Sequence, residues 1–182
     1  MDLIVWADVE STGLSPYAPS NDKLLQVACV ITDNDLNILD EVGYEAVVYY
    51  SEEETKTVFA HANEYVQNMH TNTGLWDRLA VDGKTLETID SELLSYIKQF
   101  QPEPKKAWLG GNSIKLDRDF LGFFLPNTFE HIHYRSVDVT SFAGIIEAKY
   151  GYTFKKKATH NAMDDIRESL AELKDYTAKF FV

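Results

Sequence analysis

The chain has 182 residues, the size of one ordinary domain, and 45% of them are apolar, enough for a substantial core. A formal net charge of -12 and a pI near 4.7 exclude a basic face that tracks long nucleic acid, because such binding neutralises many phosphates. One cysteine, Cys29, excludes an internal disulfide framework, and the apolar segments are too short to span a bilayer. The expectation is therefore a single domain over residues 1–182, cytoplasmic, with no membrane partner.

Residues 3–14, LIVWADVESTGL, open as an apolar run of strand type and then place Asp8 and Glu10 two apart. On a strand, i and i+2 share a face, so Ile4, Trp6, Asp8 and Glu10 line one side. Two like charges at the end of an apolar strand repel and lose solvation, which calls for cations or donors nearby. The plain alternative is a strand that ends at Ala7, with both acids solvated in a loop.

Residues 11–22 carry Gly13, Pro16, Pro19 and Asn21 and read as a loop. A second strand spans 24–32, a turn follows at 33–35, and 36–50 supply a third strand around Gly43, giving an antiparallel meander. Residues 51–56 are polar and acidic, a loop or a helix start, and 60–79 read as helix in pieces with a break near 71–74. Thr85 opens a clear helix with Leu86, Ile89, Leu93, Ile97 and Phe100 at helical spacing, ended by Pro102 and Pro104. A short strand at 106–109 runs into Gly110-Gly111-Asn112, and a helix over 114–124 follows, closed by Pro126. Next come a strand at 133–139, a helix at 141–149 and a basic loop at 151–157. The last helix begins near Thr159 or His160, with Met163, Ile166, Leu170 and Leu173 as its stripe. A meander followed by alternating helices and strands predicts an α/β protein whose mixed sheet is flanked by helices.

Two further stretches carry chemistry. Asp117 falls on the same helical face as Phe120, Leu121 and Phe124, and a carboxylate facing inward needs a partner. His160 stands at a helix start with Asp164 and Asp165 in the first turns; the apolar stripe does not decide which aspartate faces in. An oxygen-rich set with one histidine points to hard divalent ions, Mg²⁺ or Mn²⁺. Two such ions can clamp the attacking and leaving oxygens of a phosphoryl transfer, and a histidine can deprotonate the attacking water. His131 and His133 lie near Asp138 and mimic a second metal set; a solvated strand edge is the simpler reading.

The strings ESTGL (10–14), MHTNTGL (69–75), GNSIKLDRDFL (111–121), HYRSVDVTS (133–141) and THNAMDDIRES (159–169) occur in family order across nearly the whole chain. They resemble the DEDDh group of 3'-to-5' exonucleases. The resemblance implies an RNase H-like fold, a mixed five-stranded sheet made of a three-strand antiparallel meander plus parallel strands. It implies that Asp8, Glu10, Asp117 and Asp165 bind two Mg²⁺ or Mn²⁺ ions, with His160 as general base. It implies a homodimer in which the Tyr134 and Arg135 region acts across the interface. Ser113, Arg135 and Thr140 match the set that caps a 5' phosphate, Leu14 matches a wedge beside the bases, His70 a contact to the 3' nucleotide, and Tyr65 a base-side aromatic. The implied activity is hydrolysis of very short RNA, chiefly dinucleotides, to nucleoside 5'-monophosphates, with no long duplex as substrate. The alternative within the family is trimming of longer RNA or single-stranded DNA. Ser11 stands where the family usually has Met, Tyr65 where it has Trp, and Lys115-Leu116 where it has Gly-Gln.

Overall fold

The structure, a computed structural model, describes residues 3–156 and 161–181. Its sheet has the order β3-β2-β1-β4-β5. β1 (Ile4–Ser11) is central; it pairs antiparallel with β2 (Leu24–Thr32), and β2 pairs antiparallel with β3 (Tyr44–Val47). This is the expected meander. β2 is buried at every position, which explains a run with hardly a polar residue: both of its faces are covered.

The other edge is parallel, joining β1 to β4 (Trp108–Gly111) and β4 to β5 (Ser136–Asp138). Three helices lie between β3 and β4 before the long one: α1 (Glu52–His61), α2 (Glu64–Asn72) and α3 (Leu75–Arg78). α4 (Leu86–Phe100) supplies Ile89, Leu93 and Ile97, and α5 (Lys115–Phe124) supplies Phe120 and Leu121, to one face of the sheet, against Val5, Ala7 and Val9. After α6 (Pro126–His131), α7 (Val139–Tyr150) and α8 (Ala162–Phe180) cover the opposite face, where Ile4, Trp6, Ala28 and Val30 meet Ile146, Ile166, Leu170 and Tyr176. Each large apolar side chain so enclosed stabilises the fold by about 1.5–3 kcal/mol relative to exposure. The period of two along β1 thus sorts Asp8 and Glu10 onto the α8 face.

Several boundaries differ from the sequence reading; β3 covers only 44–47 of the expected 36–50, after Gly43, and β4 runs over 108–111 rather than 106–109. Of the two readings of 51–56, the helix start holds: α1 begins at Glu52, because Ser51 and Glu54 form a capping box. Pro126 does not only close α5; it is the first residue of α6, where a missing N–H costs nothing. β5 has three residues rather than seven, because Asp138 turns to cap α7, its carboxylate accepting from the Thr140 N–H. α8 begins at Ala162 with Asn161 as its cap, later than Thr159 or His160, which lie outside the described residues. Among the described residues, no helix is long and apolar enough to cross a membrane.

Candidate active site

The site forms where β1 outruns its parallel neighbour. β1–β4 pairing stops at Trp6 and Gly110. Gly111 then passes so close that a Cβ there would lie 2.8 Å from the Ile114 side chain and 3.1 Å from the Ala7 carbonyl. The chain leaves the sheet for α5, and the outer half of β1 keeps an open edge. Asp117 closes it: its Oδ1 accepts the Val9 N–H at 2.9 Å. A side chain from the first turn of α5 therefore replaces the missing strand and brings a buried carboxylate against β1.

Asp8 and Glu10 project toward α8, and Asp165 in its first turn meets them. One carboxylate oxygen from each of the three lies within 4.8 Å of the others. Asp164 is exposed and outside this cluster, which decides the ambiguity left by the helical stripe. Burial and the neighbouring Asp165 push Asp8 up to about 7, against a partial offset from Lys156. Burial, with Asp8 and Asp165, pushes Glu10 up to about 9. Asp117 is held well above the ordinary carboxylate range by burial and by Asp8, although the Val9 N–H favours its ionised form. Mutually repelling carboxylates out of water are a poor structural device and a good cation cage. The all-oxygen donor set fits a hard divalent ion.

Beside Glu10 runs a groove of about 340 Å³, lined by Glu10, Leu14, Asn63, Tyr65, Met69 and Leu116 among others. Leu14 is 81% exposed and Tyr65 66% exposed, so both offer apolar surface to a ligand instead of joining the core. Asp22 braces the loop that carries Leu14, accepting the Ser15 N–H at 3.0 Å and the Thr12 hydroxyl at 3.3 Å, with His61 Nε2 at 3.2 Å. Gly13 is required there, since a Cβ would sit 2.5 Å from the Asp22 carboxyl. His70 lies inside rather than on the groove wall: it is fully buried, its Nε2 3.2 Å from the Ser11 carbonyl and 3.9 Å from Glu10.

Ser113 and Thr140 come together, with the Ser113 N–H donating to Thr140 Oγ1 at 2.9 Å. Tyr134 and Arg135 do not join them. They precede β5, at the opposite end of the parallel strands from Asp8, roughly 15 Å away at strand rise. Both are exposed; the Arg135 Nε donates to the Tyr134 hydroxyl at 3.1 Å, and Tyr134 stacks on His133. His131 and His133 are not a solvated pair on a strand edge. His131 is buried at the end of α6, its Nε2 2.8 Å from the Gln101 carbonyl, while His133 is sandwiched by Trp108 and Tyr134.

Sequence reasoning missed Asn112, Lys156, Ser169 and Glu172. Glu172 is buried and fully engaged, accepting from Asn112 Nδ2 at 3.1 Å, the Tyr176 hydroxyl at 2.8 Å and Lys156 Nζ at 2.8 Å. The signal was the Ser169, Glu172, Tyr176 line, a second buried stripe on α8 that carries polar atoms.

The chain that builds this sheet and carboxylate cluster matches the exonuclease family model over residues 5–173. Over 180 residues the chain is 40% identical to the oligoribonuclease of Francisella tularensis subsp. tularensis, covering 98% of this chain and 96% of the relative. The oligoribonuclease of Streptomyces avermitilis is 39% identical over 100% of this chain and 88% of its own length. The chain belongs to the exonuclease family and, within it, to the oligoribonucleases. Among solved structures, E. coli exonuclease I in complex with a 5cy-dT13 oligonucleotide shares the fold with a TM-score of 0.71 at 15% identity, over 99% of this chain. The chain spans 41% of that protein's length.

Proposed function

We propose that this 3'-to-5' exoribonuclease acts chiefly on dinucleotides and other very short RNAs, releasing nucleoside 5'-monophosphates from one exonuclease domain over residues 1–182. The observation that carries the reading is the convergence of Asp8, Glu10 and Asp165 beside a groove of about 340 Å³ with Leu14 exposed on its wall. That volume is at the small end of ligand sites, and the chain's acidic balance provides no track for more nucleotides.

Asp8, Glu10, Asp117 and Asp165 would hold two Mg²⁺ or Mn²⁺ ions. Bound there, the ions would supply charge neutralisation to the reacting phosphate and a more acidic water. The four carboxylates would hold the ions and so fix where an anionic phosphate can bind, and their raised proton affinities would fall once a cation compensates their repulsion. Asp117 also ties α5 to β1, so the cluster keeps its shape as substrate enters. Leu14 and Tyr65 pack against the bases and exclude water from the reacting end. His70 supports the site from beneath through the Ser11 carbonyl, at the level of the 3' nucleotide. His160, outside the described residues, takes the proton of the attacking water.

Ser113 and Thr140 cap the 5' phosphate, together with Arg135. Within one chain Arg135 and Tyr134 lie at the wrong end of the sheet for this. An exposed aromatic–arginine pair in that position supports a homodimer in which each protomer completes its partner's site. A single, buried cysteine fits the cytoplasmic setting we assign to it.

The test is hydrolysis of a series of RNAs, from the 5'-phosphorylated dinucleotide upward, with Mg²⁺ or Mn²⁺. The dinucleotide is expected to give the highest kcat/KM. Comparable or faster cleavage of a long single strand would replace this reading with the trimming of longer RNA or single-stranded DNA.

A further inference from the structure

Side chains from three elements form a chain of hydrogen bonds whose direction is fixed by its ends. On α8, Ser169 donates its only hydroxyl proton to the Asp165 carbonyl at 2.8 Å, so its oxygen is left to accept. Asn112 Nδ2 fills that role at 2.7 Å and also donates to Glu172 Oε2 at 3.1 Å. With both donors of the amide facing α8, Asn112 Oδ1 must face the other way, and it accepts the Thr140 hydroxyl at 3.1 Å. The proton of Thr140 is thereby committed. Thr140 Oγ1 in turn accepts the Ser113 N–H at 2.9 Å and lies 3.3 Å from Ser113 Oγ. With the Thr140 proton spent, the Ser113 hydroxyl is the donor across that 3.3 Å contact, which is long for an O–H···O bond; exposed at the far end, this hydroxyl can turn its proton to a ligand. Ser113 also holds a left-handed backbone, φ 51°, which a serine adopts at a cost and which its N–H bonds to Thr140 and to Asp138 at 3.1 Å maintain.

We propose that Asn112 is a positioning residue for substrate length. It fixes the Thr140 hydroxyl, through it holds the Ser113 hydroxyl in place for a terminal phosphate, and ties that pair to the turn of α8 that carries Asp165. The separation between the 5'-phosphate contact and the acidic cluster is then set by one side chain, with Glu172 and its partner Lys156 holding the amide in its orientation. This rests on the capped-end reading of Ser113 and Thr140 given above. The polarity of the network comes from donor and acceptor chemistry alone and adds a residue that makes no contact with substrate.

The experiment compares kcat/KM for a 5'-phosphorylated dinucleotide with that for the same dinucleotide lacking the 5' phosphate. The wild-type protein is expected to prefer the phosphorylated form. Asn112→Ala and Ser113→Ala are each expected to cut that preference by about tenfold, the scale of one hydrogen bond to a charged group. The double variant is expected to lose no more than the larger single loss, because the two residues act through one bond. If Asn112→Ala slows both substrates by the same factor and keeps the preference, the residue is merely structural and the inference falls. Should Asn112→Ala fail to fold, Asn112→Ser keeps a polar group there but is too short to span Thr140 and α8. Loss of the preference in that variant supports the inference, and an unchanged preference overturns it. A wild-type protein that releases mononucleotides without any preference for the 5' phosphate overturns the capped-end reading itself, a result distinguishable from the failure of Asn112.

Discussion

Asp90 and Glu10 are both buried acids, and their surroundings are opposite. Asp90, on α4, accepts the Thr128 N–H at 2.8 Å, the Asn127 N–H at 3.0 Å and the Asn127 side-chain amide at 2.9 Å. It satisfies the start of α6 and needs nothing from outside. Glu10 has His70 at 3.9 Å, with Asp8 and Asp165 pressed close, and among the described residues no hydrogen bond to its carboxylate. Where this chain uses a buried acid as structure, it surrounds it with donors. Where it leaves carboxylates against one another, the compensation is designed to come from a ligand.

The largest expected effect tests the uncompensated side. Asp117→Ala or Asp165→Ala should lower mononucleotide release by roughly 10²–10³-fold or more, with the circular-dichroism spectrum unchanged. Undiminished turnover in either variant would remove that residue from the metal set. The compensated side should fail differently. Asp90→Ala strands three donors, and urea unfolding should register a loss of about 2–3 kcal/mol, while turnover per folded molecule stays close to wild type.

The pH dependence of the metal-free protein sharpens the contrast. Carboxylates raised on folding keep protons that the unfolded chain releases at its ordinary values near 3.8 and 4.5. Stability is therefore full below about pH 4, declines as the pH climbs, and levels off only above about 7 for Asp8 and about 9 for Glu10. Mn²⁺ or Mg²⁺ should remove most of the decline, and melting temperatures with and without the ion should diverge as pH rises. Glu10→Gln should flatten the metal-free profile and raise stability near pH 8 by roughly 1 kcal/mol while abolishing activity. A metal-free protein whose stability rises steadily across this window would contradict the repulsion argument. The smallest effect lies on the groove wall. Leu14→Ala should lower kcat/KM on the dinucleotide by roughly tenfold and shift stability by no more than about 0.5 kcal/mol, since the side chain packs on ligand and not on core.

Much of this was legible from residue order. The alternation along residues 4–10 placed both acids on one face, and the helical period placed Asp117 inward beside Phe120 and Leu121, because strand and helix periodicity are local properties of the backbone. From sequence Pro126 marks a helix stop; that it also starts α6 depends on Asp90, which reaches in from another helix to accept the Asn127 and Thr128 N–H groups. Asp164 and Asp165 were indistinguishable on the stripe of α8, because the direction in which a helix faces a distant strand is set by packing.

The sequence by itself determined the meander, the Asp8–Glu10 face, the inward Asp117 and, through its family strings, the class of chemistry. Each depends on neighbours within a few positions or on a motif carried whole. The family strings already pointed to Asp165 and Leu14; the tertiary structure alone decided that Asp117 replaces a strand at the edge of β1, that His70 lies buried beneath the groove, and that Asn112 bridges Thr140 to Glu172. The Asn112 contacts join residues 28 and 60 positions apart, and no local pattern encodes a hydrogen bond whose two ends meet only after the sheet and its helices have packed.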